Sequence, residues 1–133
     1  MKKLLLAVLA VTTLTACKHE NMEDRAYREA REFTRKYCPT PVRDYTRTDS
    51  MAFDPRTRTL VYYYSLMNEA DNERVIELNK DKMHQNLLNG LINATNLKAY
   101  KDASFNFRYV YHSGSNPQKI LYEASFAKKD YGI

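Results

Sequence analysis

The chain has 133 residues, with 21 lysines and arginines against 16 aspartates and glutamates, 11 tyrosines and no tryptophan. A formal charge of +5 without any recognition motif argues against a nucleic-acid partner, and three glycines are too few for a glycine-rich phosphate loop. The length that follows the N-terminal segment suits one domain with a single hydrophobic core.

The first 16 residues have the layout of a secretory signal peptide. Lys2 and Lys3 provide a positive start, residues 4–14 are apolar residues and threonines, and two small residues precede Cys17. Eleven helical residues span about 16 Å, roughly half of a hydrocarbon core, so a permanent transmembrane helix is not expected. We therefore predict that residues 1–16 are removed after export.

The end of this segment, Leu14-Thr15-Ala16-Cys17, resembles the lipobox of bacterial lipoproteins. The resemblance implies cleavage before Cys17 and attachment of lipid to its sulfur; two or three acyl chains anchor a protein stably. Lys18 follows where an aspartate would imply inner-membrane retention, so the resemblance implies the outer membrane. Residues 17–21 then form a lipidated tether and residues 22–133 one domain. An ordinary signal peptide with a cysteine at its end is the alternative.

A helix is predicted over residues 22–37, where apolar residues recur at spacings of three and four. It ends before Pro39, because proline cannot continue a helix. Two strands follow, over residues 43–53 and 59–67, joined by a turn at Pro55. The second strand is apolar on both sides, which favours a central position in a sheet.

Asp71 is the predicted N-cap of a long second helix that runs to about Ala94. Two further strands are predicted over residues 104–112 and 119–128, because apolar and polar side chains alternate there. The segment 113–117 between them contains typical turn residues.

The resulting order is helix, strand, strand, helix, strand, strand, which predicts an α+β fold. We expect a two-layer sandwich in which a four-stranded antiparallel sheet carries both helices on one face. The aromatic side of the strands should face the helices, and this side contains Tyr62, Tyr64, Tyr109, Tyr111 and Tyr122.

The other side of the sheet is then left open. We call its six candidate partner-binding positions the open face: Tyr63, Arg108, Val110, His112, Leu121 and Glu123. Tyrosine and arginine over aliphatic neighbours are enriched at the centres of protein interfaces. A half-solvated antiparallel sheet without a partner has a similar composition.

No catalytic site, metal site or cofactor is predicted. His19, His84 and His112 lie in three different segments, and neither an HxxxH nor a CxxC spacing occurs. Cys38 is expected to be buried, with a thiol that pairs between chains as the alternative. The enzymatic alternatives are a Cys38 nucleophile with a histidine base and a carboxylate pair among Asp44, Asp49 and Asp54.

Four segments carry a second resemblance, namely residues 59–68, 93–101, 107–111 and the Asp130-Tyr131 ending. Together they resemble small uncharacterised lipoproteins of gut Bacteroidetes, and they imply a location and a fold rather than a mechanism.

The sequence thus predicts a non-enzymatic lipoprotein of the cell envelope, held to the membrane by lipid on Cys17, whose open face binds an envelope protein. A small-ligand or glycan binder that uses exposed tyrosines is the second hypothesis, and an enzyme of unfamiliar type is the third.

Overall fold

The computed structural model describes residues 19–132, which form one four-stranded sheet with helices. The helices are α1 (Met22–Tyr37), α2 (Glu73–Asn93), α3 (Lys98–Asp102) and α4 (Lys128–Tyr131). The strands are β1 (Thr46–Asp54), β2 (Thr59–Leu66), β3 (Asn106–Ser113) and β4 (Ile120–Phe126). Two short 3-10 turns, Asn68–Ala70 and Thr95–Leu97, precede α2 and α3. The predicted cleavage site, Cys17 and its tether up to Lys18 lie outside the described residues.

Helix α1 has the predicted bounds, because signals at both ends agree. The side chain of Asn21 caps its start by accepting a hydrogen bond from the backbone N–H of Asp24 at 2.7 Å. Acidic residues occupy the first turn and basic residues the last, as the helix dipole favours. Ala26 and Ala30 are buried against the sheet, and their small side chains allow α1 to approach it closely.

The α+β class is confirmed, but the expectation of a wholly antiparallel sheet is wrong for the central pair of strands. The strand order is β1-β2-β3-β4; β1 with β2 and β3 with β4 are antiparallel hairpins, whereas β2 and β3 run parallel. The physical reason is the connection: α2 carries the chain back along the sheet, so that β3 starts beside the start of β2. The sheet is therefore mixed.

The hydrophobic core lies between the helices and one face of the sheet, as predicted. α1 packs beside β1 and α2 beside β4. Tyrosine rings of adjacent strands stack on this face, with centroid distances of 5.2 Å for Tyr62 and Tyr109 and 4.7 Å for Tyr64 and Tyr111. The five tyrosines predicted to face the helices all belong to this core or pack against it.

Several predicted boundaries differ from the structure, and three of the differences have a clear local reason. β1 begins at Thr46 because Arg43 and Thr46 first bond to each other across a tight turn. β4 ends at Phe126 because the Asp130 carboxylate accepts a hydrogen bond from the N–H of Ala127 and starts α4. The N-cap of α2 is not Asp71 but the next residue, whose side chain accepts from two backbone N–H groups.

Candidate functional site

The six open-face positions lie together on the side of the sheet opposite the core. The alternation of side chains along β2, β3 and β4 places them there, while the buried side chains of the helices join the core on the other side. Glu123 is exposed, Val110 is buried, and the other four side chains are half-buried. Leu121 lies in the register shift of β4 and has no partner on β3, and Val110 is too buried to contact a partner directly, so the partner-binding role of the open face stays a prediction.

The centre of the open face is an amphipathic patch. Arg108 on β3 donates a hydrogen bond from its Nε atom to the carboxylate of Glu123 on β4. This hydrogen bond raises the pKa of Arg108. Val110 is the register partner of both Tyr63 and Glu123, and only 1% of its surface is exposed. The patch therefore combines a buried aliphatic floor, an aromatic ring and a paired charge.

A polar cluster that the sequence did not reveal lies where β2 ends. The Ser65 hydroxyl donates to Oδ2 of Asp49 at 2.5 Å, and Nε of Arg47 donates to Oδ1 of the same carboxylate at 2.6 Å. Ser65 is buried, and its register partner on β3 is His112 of the open face. The cluster depends on an irregularity in β1 between Thr48 and Ser50, which no local sequence pattern marks.

His112 connects this cluster to the centre of the open face. Its ring centroid lies 6.1 Å from that of Tyr63. Its Nδ1 atom is buried and has no hydrogen-bond partner within the described part of the chain. Because the Ser65 hydroxyl is directed at Asp49 and not at the imidazole, the serine, histidine and aspartate do not form a nucleophile-activating relay.

A shallow groove of about 580 Å³ adjoins the other end of the open face. Arg108 belongs to both the groove and the open face. The remaining lining is mixed and comes from the ends of β1 to β4 and from α4, with polar residues such as Thr59, Asn106 and Lys129 beside apolar ones such as Val61.

Two of the candidate enzymatic residues, Cys38 and His84, lie in surroundings that do not favour catalysis. Cys38 is half-buried, and burial together with the nearby Asp49 carboxylate raises the pKa of its thiol, which disfavours the nucleophilic thiolate. The ring of His84 packs on Phe126 at 5.0 Å, on the core side of the sheet.

Two of the three aspartates of the alternative carboxylate pair are engaged by other groups. The pKa of Asp54 is lowered by the backbone N–H of Arg56, and Asp49 is bonded to Arg47 and Ser65. Between residues 19 and 132, no three histidine, cysteine or acidic side chains come close enough to hold a metal ion. No helix in the same range is both long and apolar enough to cross a membrane.

A family model described as "Domain of unknown function (DUF8479)" matches residues 21–122. The chain belongs to this family. The DUF8479 match begins one residue before α1 and ends within β4, so it contains five of the six open-face positions and stops just before Glu123. None of the curated proteins is significantly similar to the chain.

One solved structure has a similar fold. The crystal structure of a "putative secreted protein" from Pseudomonas aeruginosa superposes with a TM-score of 0.66. The alignment covers 85% of this chain and 99% of that one, at 8% sequence identity. At this identity the likeness demonstrates the shared fold alone. The resemblance to Bacteroidetes lipoproteins stays a prediction.

Proposed function

We propose that this protein is a lipid-anchored, non-enzymatic component of the cell envelope that binds a protein partner through its open face. The observation that carries the proposal is the one-sided packing of the sheet. The helices bury their apolar side chains on one face, while Tyr63, Arg108 and Leu121 remain accessible on the other.

The proposed location rests on the N-terminal sequence. Residues 1–16 have the order of a signal peptide, and Cys17 stands at the lipobox position. The name of the Pseudomonas aeruginosa protein of like fold describes a secreted protein, which agrees with export. Lys18 after the cysteine favours the outer membrane. Because α1 begins at Met22, a short tether would hold the domain close to the membrane surface.

The chemistry of the open face favours a protein over a glycan. Sugar-binding sites of the type considered need several exposed aromatic rings, but five of the six tyrosines on the sheet strands face the core and only Tyr63 faces outward. A single ring beside an arginine and aliphatic side chains is instead typical of the centre of a protein interface.

Affinity capture with matched variants tests the proposed face. The full-length protein is expressed in its native host and captured from detergent-solubilised membranes, and the bound proteins are quantified. The amount of the specific partner recovered with the double variant Tyr63→Ala, Arg108→Ala should be at least tenfold lower, because both side chains lie at the centre of the face. Tyr27→Ala is the matched control, since this tyrosine is exposed on α1 on the other side of the molecule. Equal recovery from all three proteins would contradict the proposal.

The anchor is tested separately by mass. Intact-mass measurement of the protein from native membranes should show residues 1–16 removed and acyl groups on Cys17. The variant Cys17→Ser should lack the acyl mass. An unmodified cysteine in protein from native membranes would contradict lipid anchoring without affecting the proposed face.

A further inference from the structure

The two edges of the sheet differ in how their backbone groups are satisfied. Along β1, the Thr34 hydroxyl accepts a hydrogen bond from the N–H of Met51 and donates to its carbonyl, both at 2.9 Å. Further along β1, the N–H of Thr40 donates to the carbonyl of Thr48 at 3.0 Å, and the Thr40 hydroxyl accepts from the Thr48 N–H. These contacts occupy the outer side of β1 and prevent another strand from pairing there.

The outer side of β4 carries unpaired groups. The N–H of Asn106 points towards β2, where it bonds to the carbonyl of Arg58, so alternation directs Phe107, Tyr109 and Tyr111 towards β4. Their partners in the register are Phe126, Ala124 and Tyr122. The N–H and C=O groups of the two intervening residues, Glu123 and Ser125, therefore point away from the sheet. No hydrogen bond within residues 19–132 reaches them.

The sequence of β4 lacks the usual protection of an edge strand. Proteins discourage edge pairing with lysine, proline or free charges on the strand. Ile120–Phe126 contains no proline or lysine, and its one charge, Glu123, is paired with Arg108 of the same sheet. A register shift at His112 interrupts the start of β4, which leaves residues 122–126 as a regular stretch.

We propose that this stretch pairs antiparallel with β4 of a second copy of the chain, centred on Ala124. In this register Ala124 lies opposite its own counterpart, so small side chains meet at the symmetry axis. Glu123 lies opposite Ser125, which avoids a pair of like charges, and Tyr122 lies opposite Phe126, whose ring stays in the core of its own copy. The outward N–H and C=O groups of Glu123 and Ser125 then all form hydrogen bonds with the other copy.

The pairing would bring the two copies of α2 next to each other. α2 is the long helix that packs beside β4, and its residues Val75 and Leu78 are 39% and 76% exposed. A twofold axis normal to the sheet places both α2 helices on the same side of the joined sheet, next to the axis. Helix α1, which follows the predicted tether, also lies on this side in both copies, so the two tethers would start on the same side of the dimer. The open faces of both copies stay accessible on the other side.

A proline substitution at the free edge tests the proposal. Ser125→Pro removes an outward N–H but leaves the bonds to β3, since proline is tolerated on the outer side of an edge strand. Analytical ultracentrifugation of the full-length protein in detergent should show a concentration-dependent dimer. Dimerisation should weaken at least about tenfold in Ser125→Pro, because two intermolecular hydrogen bonds are lost, and should be unchanged in Ser125→Ala. A monomer at every concentration, or equal dimerisation of all three proteins, would overturn the proposal.

Disulfide trapping tests the register of the proposed pairing. It also tests whether the pairing occurs at all if Ser125→Pro fails to fold. In the double variant Glu123→Cys, Ser125→Cys, each new thiol faces a new thiol of the other copy, so oxidation should give a covalent dimer. Ser125→Cys alone is the control, because its two copies would lie about 8 Å apart, too far for a disulfide. Equal cross-linking of both variants, or none of either, would contradict the register. Partner capture through Tyr63 is unaffected by this result, so the two proposals can fail independently.

Discussion

On the side facing the helices, neighbouring strands contribute stacked aromatic rings, whereas on the opposite side they contribute a single tyrosine, aliphatic side chains, ion pairs and short polar side chains. Phe107 and Arg108 are consecutive residues of β3 and illustrate the contrast. Phe107 has no exposed surface and packs edge-on against Tyr131 at 5.5 Å, while Arg108 reaches across the other side to Glu123. Alternation along a strand is enough to separate a residue that stabilises the domain from one that is available for binding.

The same division explains where the tyrosines lie. Tyr62, Tyr64, Tyr109 and Tyr111 form stacked pairs across β2 and β3 because the parallel register aligns equivalent positions. Tyr63, one position out of phase, points to the open side. We therefore expect substitutions on the helical side to change stability, and substitutions on the open side to change binding with little effect on stability.

Truncation of the core should have the largest effect. Phe107→Ala is expected to lower the free energy of unfolding by about 3–5 kcal/mol, since the cavity adds to the loss of buried apolar surface. Chemical denaturation measures this, and Leu121→Ala on the open face, which should cost less than about 1.5 kcal/mol, is the control. A comparable loss in both variants would show that the open face is packed as tightly as the core.

The second-largest effect is expected from alkaline pH, which should destabilise the helical side of the sheet. Burial raises the pKa of Tyr109 and Tyr111 to about 12 from the ordinary value of 10.0. Because these values are higher in the folded state, the associated stability is complete below pH 10 and is lost as the pH rises through about 12. Each pKa unit corresponds to about 1.4 kcal/mol, so Tyr109 should account for about 2–3 kcal/mol.

Denaturation curves collected between pH 8 and about pH 12 measure this loss, and Tyr109→Phe should flatten the decline because its ring cannot ionise. A variant curve parallel to that of the unaltered protein would mean that Tyr109 ionises equally easily in the folded and unfolded chains.

The ion pair of the open face should have the smallest effect on stability. Arg108 and Glu123 are 39% and 38% exposed, so water and salt screen their attraction. A double-mutant cycle with Arg108→Ala and Glu123→Ala should give a coupling energy below about 1 kcal/mol. A coupling of several kcal/mol would indicate that the pair serves the fold and would weaken the separation between the two sides.

Local patterns of the sequence were sufficient for the two long helices and the four strands, whereas the short helices α3 and α4 were not predicted, because five or four residues are too few to show a helical period. The capping and charge signals around α1 lie within a few residues of each other, so the bounds of Met22–Tyr37 were predicted correctly. Period-two alternation likewise identified the strands of both hairpins. Such signals are encoded within single elements and need no knowledge of distant contacts.

Features that join distant segments were decided by the tertiary structure alone. The parallel pairing of β2 with β3 depends on where α2 returns the chain, and neither strand encodes that direction in its own residues. The contact of Asp49 with Ser65 requires an irregularity in β1, and the protection of the β1 edge by Thr34 depends on how α1 docks. The sequence by itself determined the strands and their two faces, whereas packing between elements decided which strands became neighbours and which edge remained free.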